Sequence, residues 1–515
     1  MNRKRVLASL LLALCLLLSG CTGAVPIKDI SAPTLAPVEQ RFTAPDMDST
    51  QDYAQTVLLC LPNAADGQLI MLPERILLPP DRHPGEATLS KLLAFSGDER
   101  AQALPGGMQL QLFPENGMEI SGDVATVNLG ANAQLLSPQD LYTLSRAIAN
   151  TLTQWKDLRY VNILIAGQQA GIDALRSIPL GSLQTTRNED VPALWDSLFA
   201  RSKLDSPENQ RFSSLCTLFF PAAMGRGILA EARTVSFPGQ TRRQMVSSLL
   251  AALSAGSQMY SQLPVVPDLP ALLNVPPEVH TASDGSIWVN LDFLAIANET
   301  FITAGIPRSI MLASLCYTLT TFVPGLTGVS VRIGNEQIEA IVPSGIYQGA
   351  GEQILFSGGI LRRGDFVSFL LTDCTLYFAG SSGGLIRLRR PVPYALAYSK
   401  RYLLGQLMLG PQNYDSVQGT APIFPASVAD KDLLGIAKEG DTALVNFSQE
   451  LLDACQGYSP AKERQLIYAV VNTLLQGDDL KRVRFYVQGR QPLTLAGSLY
   501  LPGDFLMNAG IIQEQ

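Results

Sequence analysis

Three stretches decide the architecture: Gly122-Asp123-Val124-Ala125-Thr126-Val127-Asn128-Leu129, Gly285-Ser286-Ile287-Trp288-Val289-Asn290-Leu291, and Gly440-Asp441-Thr442-Ala443-Leu444-Val445-Asn446-Phe447. Each is a glycine turn followed by a strand-like run that ends in Val-Asn-apolar, and the triplets begin 162 and then 156 residues apart. Recurrence at a near-constant interval is the signature of a repeated structural unit. Downstream of each triplet comes a helix-like segment with Thr-Leu near its end, at Thr151-Leu152, Thr318-Leu319 and Thr473-Leu474. An alternating strand then starts 10, 11 and 10 residues after the threonine: Val161, Ile163, Ile165; Val329, Val331, Ile333; and Val483, Phe485, Val487.

Two of these helices have clear starts. Ser137-Pro138 and Ser459-Pro460 place a capping hydroxyl before a proline, whose missing N–H is no loss in the first turn. The second repeat starts less cleanly, at Pro307. Working outward, each triplet is preceded by a strand containing Leu59-Cys60-Leu61-Pro62, Leu218-Phe219-Phe220-Pro221 or Leu376-Tyr377-Phe378-Ala379, then by a helix with paired leucines at 92–93, 249–250 and 403–404. The unit is therefore β-α-β-β-α-β. The fold class expected is α+β, with three tandem modules, each a small sheet with two helices packed on one side.

The modules are placed at 52–172, 212–345 and 370–492. Residues 173–211 form a linker with a short helix from Val191 to Lys203, residues 346–369 a linker or hairpin, and residues 493–515 a C-terminal hairpin or tail. An echo links Gly358 through Gly364-Asp365-Phe366 with Gly497 through Gly503-Asp504-Phe505, while the first repeat keeps Gly181-Ser182-Leu183. Gly-Asp is read there as turn chemistry, with Phe as an anchor, rather than as a ligand-binding carboxylate.

The first residues read as an address. Arg3, Lys4 and Arg5 precede an apolar run from Val6 to Leu18, too short to cross a bilayer, which ends at Leu18-Ser19-Gly20-Cys21. Residues 1–20 are read as a lipoprotein signal peptide and Cys21 as the lipidated residue, carrying diacylglyceryl and a further acyl chain such as palmitate. Residues 21–51, with four prolines among Ser, Thr and Ala, read as a flexible tether. The expected location is the extracytoplasmic face of the cell membrane.

The composition leans away from catalysis. With 515 residues, 47% apolar and 16% charged, the chain is globular and large enough for about three domains. A formal charge of -7 gives no footprint for nucleic acid. Its two histidines, His83 and His280, are far apart and read as loop residues. No metal-ligand spacing, Walker loop or dinucleotide fingerprint occurs, so no metal or cofactor is expected. Gly380-Ser381-Ser382-Gly383-Gly384 matches the nucleophile-elbow pattern in letters only, because a strand-like Leu385-Ile386-Arg387-Leu388 follows and both histidines lie upstream. The protein is read as a non-enzyme. Cys60, Cys216, Cys316, Cys374 and Cys455 all sit in apolar runs and are read as buried free thiols. Acidic clusters at 98–99, 188–190 and 478–479 are read as solvated surface. Trp155, Trp195 and Trp288 are read as partly buried in core.

The succession of first strand, Leu-Leu helix, Val-Asn-Leu strand, Thr-Leu helix and closing Val-x-Val strand resembles the GerMN domain of sporulation and spore germination, as three copies covering most of residues 52–492. That resemblance implies an exported lipoprotein of a spore-forming bacterium with a role in envelope assembly. It also implies association through sheet edges and helix faces, as in similar ring-building modules. Two departures stand out. Typical members carry fewer copies, and the second repeat has Tyr317-Thr318-Leu319 where the others have Asn-Thr-Leu. The repeat-signature residues Asn128, Thr151, Asn290, Thr318, Asn446 and Thr473 are read as structural, asparagine beside a turn being a ready partner for local backbone. Expected partners are the membrane, through the lipidated N-terminus, and envelope proteins or further copies of the chain. Peptidoglycan or glycan binding is the alternative, disfavoured because no exposed aromatic recurs at one equivalent position: Trp288 aligns with Thr126 and Leu444.

Overall fold

The computed structural model describes residues 44–513, apart from short stretches at 50–51, 108–109, 115–116, 174–176, 203–209, 223–225, 261, 344–351, 413–414, 416–418 and 478–479. The signal peptide, Cys21, most of the tether, Lys203 and the 478–479 pair lie outside the described residues.

One order of elements recurs three times. The first module runs β1 (Tyr53–Pro62), β2 (Leu69–Leu78), α1 (Pro84–Leu93), β3 (Met118–Ser121), β4 (Val124–Leu129), α2 (Pro138–Leu152) and β5 (Tyr160–Ile165). The second has β6 (Phe212–Pro221), β7 (Ile228–Phe237), α3 (Arg242–Ser254), β8 (Glu278–Thr281), β9 (Ile287–Phe293), α4 (Arg308–Phe322) and β10 (Leu326–Ile333). The third has β11 (Leu371–Gly380), β12 (Leu385–Pro393), α5 (Lys400–Met408), β13 (Leu433–Glu439), β14 (Thr442–Phe447), α6 (Pro460–Leu474) and β15 (Arg482–Val487). In each module the Val-Asn strand is central, antiparallel to the strand before it and parallel to the one after α2, α4 or α6.

The α+β class and the threefold repetition agree with the sequence, and each module has one strand more than expected. The first strand pairs with a long antiparallel partner, β2, β7 or β12, so every module holds a hairpin beside a separate sheet. Of these partners only the start of β12 reads as a strand in the sequence. Pro73, Glu74 and Arg75 inside β2, and Glu231 and Arg233 inside β7, disguise the alternation of a half-buried strand.

The helix starts follow the sequence closely. Ser137 accepts from the Asp140 N–H and Ser459 from the Lys462 N–H, each just before a proline in the first turn. From Ser309 to Phe322, α4 is buried all round, so it shows no polar stripe. No single described helix is long and apolar enough to cross a membrane; the short helix Ala297–Thr303 and α4 satisfy that criterion only as a pair bent by 101°. A further short helix, Val191–Ser202, follows the first module.

Each sheet also gains one antiparallel pairing from the chain that follows its module. Leu183 pairs with Val161, Leu361 with Val329, and Phe505 with Val483. The Gly-Asp-Phe echo is therefore out of register, because Leu361 and not Phe366 occupies the place of Phe505. Asp365 accepts from the Arg362 N–H at 2.7 Å, closing a turn, whereas Asp504 accepts from Arg484 Nε at 2.7 Å. Within the segment read as tether, residues 44–49 rest on the third module. The Ser49 N–H donates to the Ile436 carbonyl at 2.9 Å, Asp48 Oδ1 accepts from the Ile436 N–H at 3.0 Å, and Arg401 Nε donates to Asp48 Oδ2 at 2.5 Å.

Candidate functional site

The signature residues hold each module together from within. Asn128 Oδ1 accepts from the Gly167 N–H at 2.8 Å and Asn446 Oδ1 from the Gly489 N–H at 3.1 Å, fixing the turn after the closing strand. That turn needs left-handed backbone at Ala166 (φ 50°), Gly334 (φ 59°) and Gln488 (φ 48°) in the three modules, a conformation costly for alanine and glutamine unless something holds it. Asn290 departs from the pattern and bonds to His280 Nε2 at 2.9 Å. Thr151 accepts from the Cys60 N–H at 2.8 Å and Thr318 from the Phe219 N–H at 2.9 Å, tying the second helix of the module to its first strand. Thr473, at the same repeat position, has no hydrogen-bond partner for its hydroxyl among the described residues.

The residue before each threonine shows why the second repeat diverges. Asn150 exchanges hydrogen bonds with the Thr186 backbone, and Asn472 with the Asn508 backbone, pinning the chain that leaves the module. In the second module this position is Tyr317, which faces the first module instead. Its ring lies under the Arg363 guanidinium, 3.9 Å from the centroid. Arg363 Nη2 donates to Glu119 Oε2 of β3 at 2.6 Å, and its Nη1 donates to Thr321 Oγ1 at 2.6 Å, all of this buried.

The three modules meet at the β3–β4 turn. Ser121 Oγ donates to the Leu371 carbonyl of the third module at 2.6 Å and accepts from the Ala230 N–H of the second at 2.9 Å. Gly122 is left-handed (φ 58°), and a Cβ there would stand 2.8 Å from both the Ala230 carbonyl oxygen and Tyr260 Oη, so no larger residue fits. The next residue, Asp123, faces a cavity.

That cavity, about 540 Å³, is lined by residues of all three modules. The first supplies Asp123, Trp155, Asp157 and Arg159, the second Tyr260, and the third Asp373, Arg387, Arg389 and Thr473 among others. Tyr260 is set in place from behind. The Glu231 carboxylate accepts from the Gln258 and Met259 N–H groups, both at 3.0 Å, and from Ser257 Oγ at 2.5 Å, fixing the loop that carries it. All six buried side-chain polar atoms without a hydrogen-bond partner among the described residues belong to residues lining this one space: both Asp123 carboxylate oxygens, Trp155 Nε1, Tyr260 Oη, Asp373 Oδ1 and Thr473 Oγ1; Asp123 Oδ2 has an ion-pair contact, with Arg159 Nη1 at 3.8 Å. Native interiors rarely leave such groups unpaired, so their convergence marks a place built to meet something polar.

The electrostatics are mixed by design of the walls. Burial pushes the Asp373 carboxyl up to about 6, opposed by Tyr260 and Arg389 and reinforced by Asp123. Burial also raises Asp123, against the pull of Arg159 and Arg389. Arg82, Lys156, Arg159, Arg387, Arg389 and Lys400 outnumber the three aspartates in the lining, although the whole chain is acidic. Among the described residues no group of three or more His, Cys, Asp or Glu is placed to hold a metal.

Most of the single-residue readings hold here, and His280 changes. His83 lies in the loop before α1, as read, and is buried there as the helix cap, its Nδ1 accepting from the Gly85 N–H at 2.9 Å and its Nε2 lying 3.1 Å from Asp157. A histidine before Pro84 does the work more often given to serine or aspartate. His280 lies on β8 and stacks on Trp288, ring centroids 5.6 Å apart. Gly380–Gly384 is the turn of the β11–β12 hairpin, gripped by Gln465, whose Nε2 donates to the Gly384 carbonyl at 2.7 Å. All five cysteines of the described chain are buried free thiols. The sequence reading missed Asp123, Tyr260 and Asp373 as a group; the available signal was an aspartate inside the apolar run Leu370-Leu371-Thr372-Asp373-Cys374.

Residues 375–493 match the family model Germane, described as sporulation and spore germination. Among solved structures, the tandem GerMN domains of the sporulation protein GerM from Bacillus subtilis align at 15% identity over 58% of this chain and 99% of that one, with a TM-score of 0.23. A lipoprotein candidate from Clostridium perfringens aligns at 18% identity over 28% of this chain and 96% of that one, with a TM-score of 0.18. No curated protein matches the chain. The family match thus runs from inside β11 to just beyond β15 and falls on the third module, which is similar there to the Germane family of sporulation and spore germination.

Proposed function

We propose that this protein is a lipid-anchored, non-enzymatic scaffold on the outer face of the cell membrane, acting in the envelope during sporulation or spore germination. The observation that carries this reading is the Germane match over the third module together with the same element order in the other two. The Leu18-Ser19-Gly20-Cys21 sequence supplies the anchor. The buried Glu119–Arg363 pair and the bridging Ser121 suit a scaffold, because they join the modules into a stiff body rather than beads on a string. Its partners are envelope proteins or further copies of itself.

The test is a chromosomal Cys21→Ala exchange in the spore-forming host. The expected result is loss of the protein from the membrane fraction and fewer heat-resistant or germination-competent spores. Normal spores with the protein shed from the membrane would overturn the anchored role, and saturable cosedimentation of the soluble chain with peptidoglycan would replace the scaffold by a glycan-binding protein.

A further inference from the structure

The six atoms without a hydrogen-bond partner at the three-module junction call for a ligand, and their types restrict which one. Two carboxylates, Asp123 and Asp373, lie with the Tyr260 hydroxyl in the protected part of the cavity, Tyr260 being 2% exposed. Beside them the Trp155 indole N–H, 4% exposed, and the Thr473 hydroxyl offer hydrogen bonds to a neutral polar group. Arg159, Arg387 and Arg389, all exposed, bring guanidinium groups to the open side. A purely anionic ligand would face Asp373 and Asp123, the latter already 3.8 Å from Arg159, and a purely cationic one would have to settle among the arginines of the lining. A molecule with an ammonium at one end, an amide between and a carboxylate at the other satisfies all of them. A space of about 540 Å³ is of the size that takes a small molecule of this kind.

We propose that the junction cavity binds a short zwitterionic peptide, its amino end against Asp123, Asp373 and Tyr260 and its carboxylate against Arg387 and Arg389. The inference is independent of the envelope role. Because the walls come from all three modules, occupancy would also tighten their association.

The experiment titrates the full-length chain in detergent with trialanine, N-acetyl-trialanine and trialanine amide, following binding by calorimetry and ligand-observed NMR. Saturable binding of trialanine is expected, weakened about tenfold or more by blocking either end, as for loss of a charged hydrogen bond. Arg387→Gln with Arg389→Gln, both exposed, should abolish the preference for a free carboxylate, with thermal melts of the variant confirming that it folds. Asp373→Asn should abolish the preference for a free amine. No binding of trialanine, equal binding of the acetylated peptide, or binding indifferent to the arginine pair would each overturn the proposal.

Discussion

Glu119 and Arg363, 244 residues apart in sequence, form a buried ion pair at 2.6 Å that joins the first module to the turn following the second. Arg363 also covers the Tyr317 ring and bonds to Thr321, so the pair is one part of a network in which every charge has a partner. The unusual tyrosine of the second repeat is explained by this contact between modules.

Breaking that network from one side should be costly. Glu119→Gln or Arg363→Met is expected to lower unfolding stability by about 3–5 kcal/mol, because each leaves a buried charge unpaired. The double substitution should cost less than the sum of the two. Denaturant melts arranged as a double-mutant cycle measure the coupling.

The asparagine latches give a graded series. Asn128→Ala and Asn446→Ala each remove an acceptor from a left-handed turn and should cost about 1–2 kcal/mol. Asn290→Ala, which loses a half-buried bond to His280, should cost less than either. Urea unfolding of the three single variants ranks them.

Acidity should act through Asp373. Its folded-state value of about 6 lies above the ordinary carboxyl value near 4, so between those pH values the folded chain keeps a proton that the unfolded chain has released. Stability therefore falls as pH rises through this window, by up to about 3 kcal/mol, and the loss is complete above it. Asp373→Asn should flatten that slope, leaving the smaller share from Asp123, which shifts in the same direction. Melting temperatures from pH 4 to 8 test it.

The docked segment 44–49 makes its own prediction. Asp48→Ala removes the acceptor for Arg401 and for the Ile436 N–H, both part-exposed, and should cost about 1 kcal/mol. Limited proteolysis should then cut before Tyr53 sooner than in the parent chain.

What the sequence discloses and what it hides divide along physical lines. Local chemistry is legible: Ser137-Pro138 and Ser459-Pro460 start their helices where capping predicts, and the Val-Asn strands occupy the central position in all three sheets. Long-range pairing is not. Nothing near β2 announces that Pro73, Glu74 and Arg75 lie inside a hairpin strand, and the functions of Tyr317 and Arg363 exist only once the first two modules meet. The cavity was least legible of all, since Asp123, Tyr260 and Asp373 come from three modules, and each alone reads as a turn, a loop or a strand residue.

The contact of residues 44–49 with β13 and β14 decides how the molecule bears tension. Asn446 Nδ2, whose side chain also latches Gly489, donates to the Pro45 carbonyl at 2.8 Å. A pull on the N-terminus thus enters the fold through the last module and not through the first, although the first follows directly in the chain. The sheet holding Asn446 takes the load, and the first module feels it only after Pro45, Asp48 and Ser49 have been peeled away. Under the N-terminal anchoring proposed above, those few hydrogen bonds would act as a mechanical fuse.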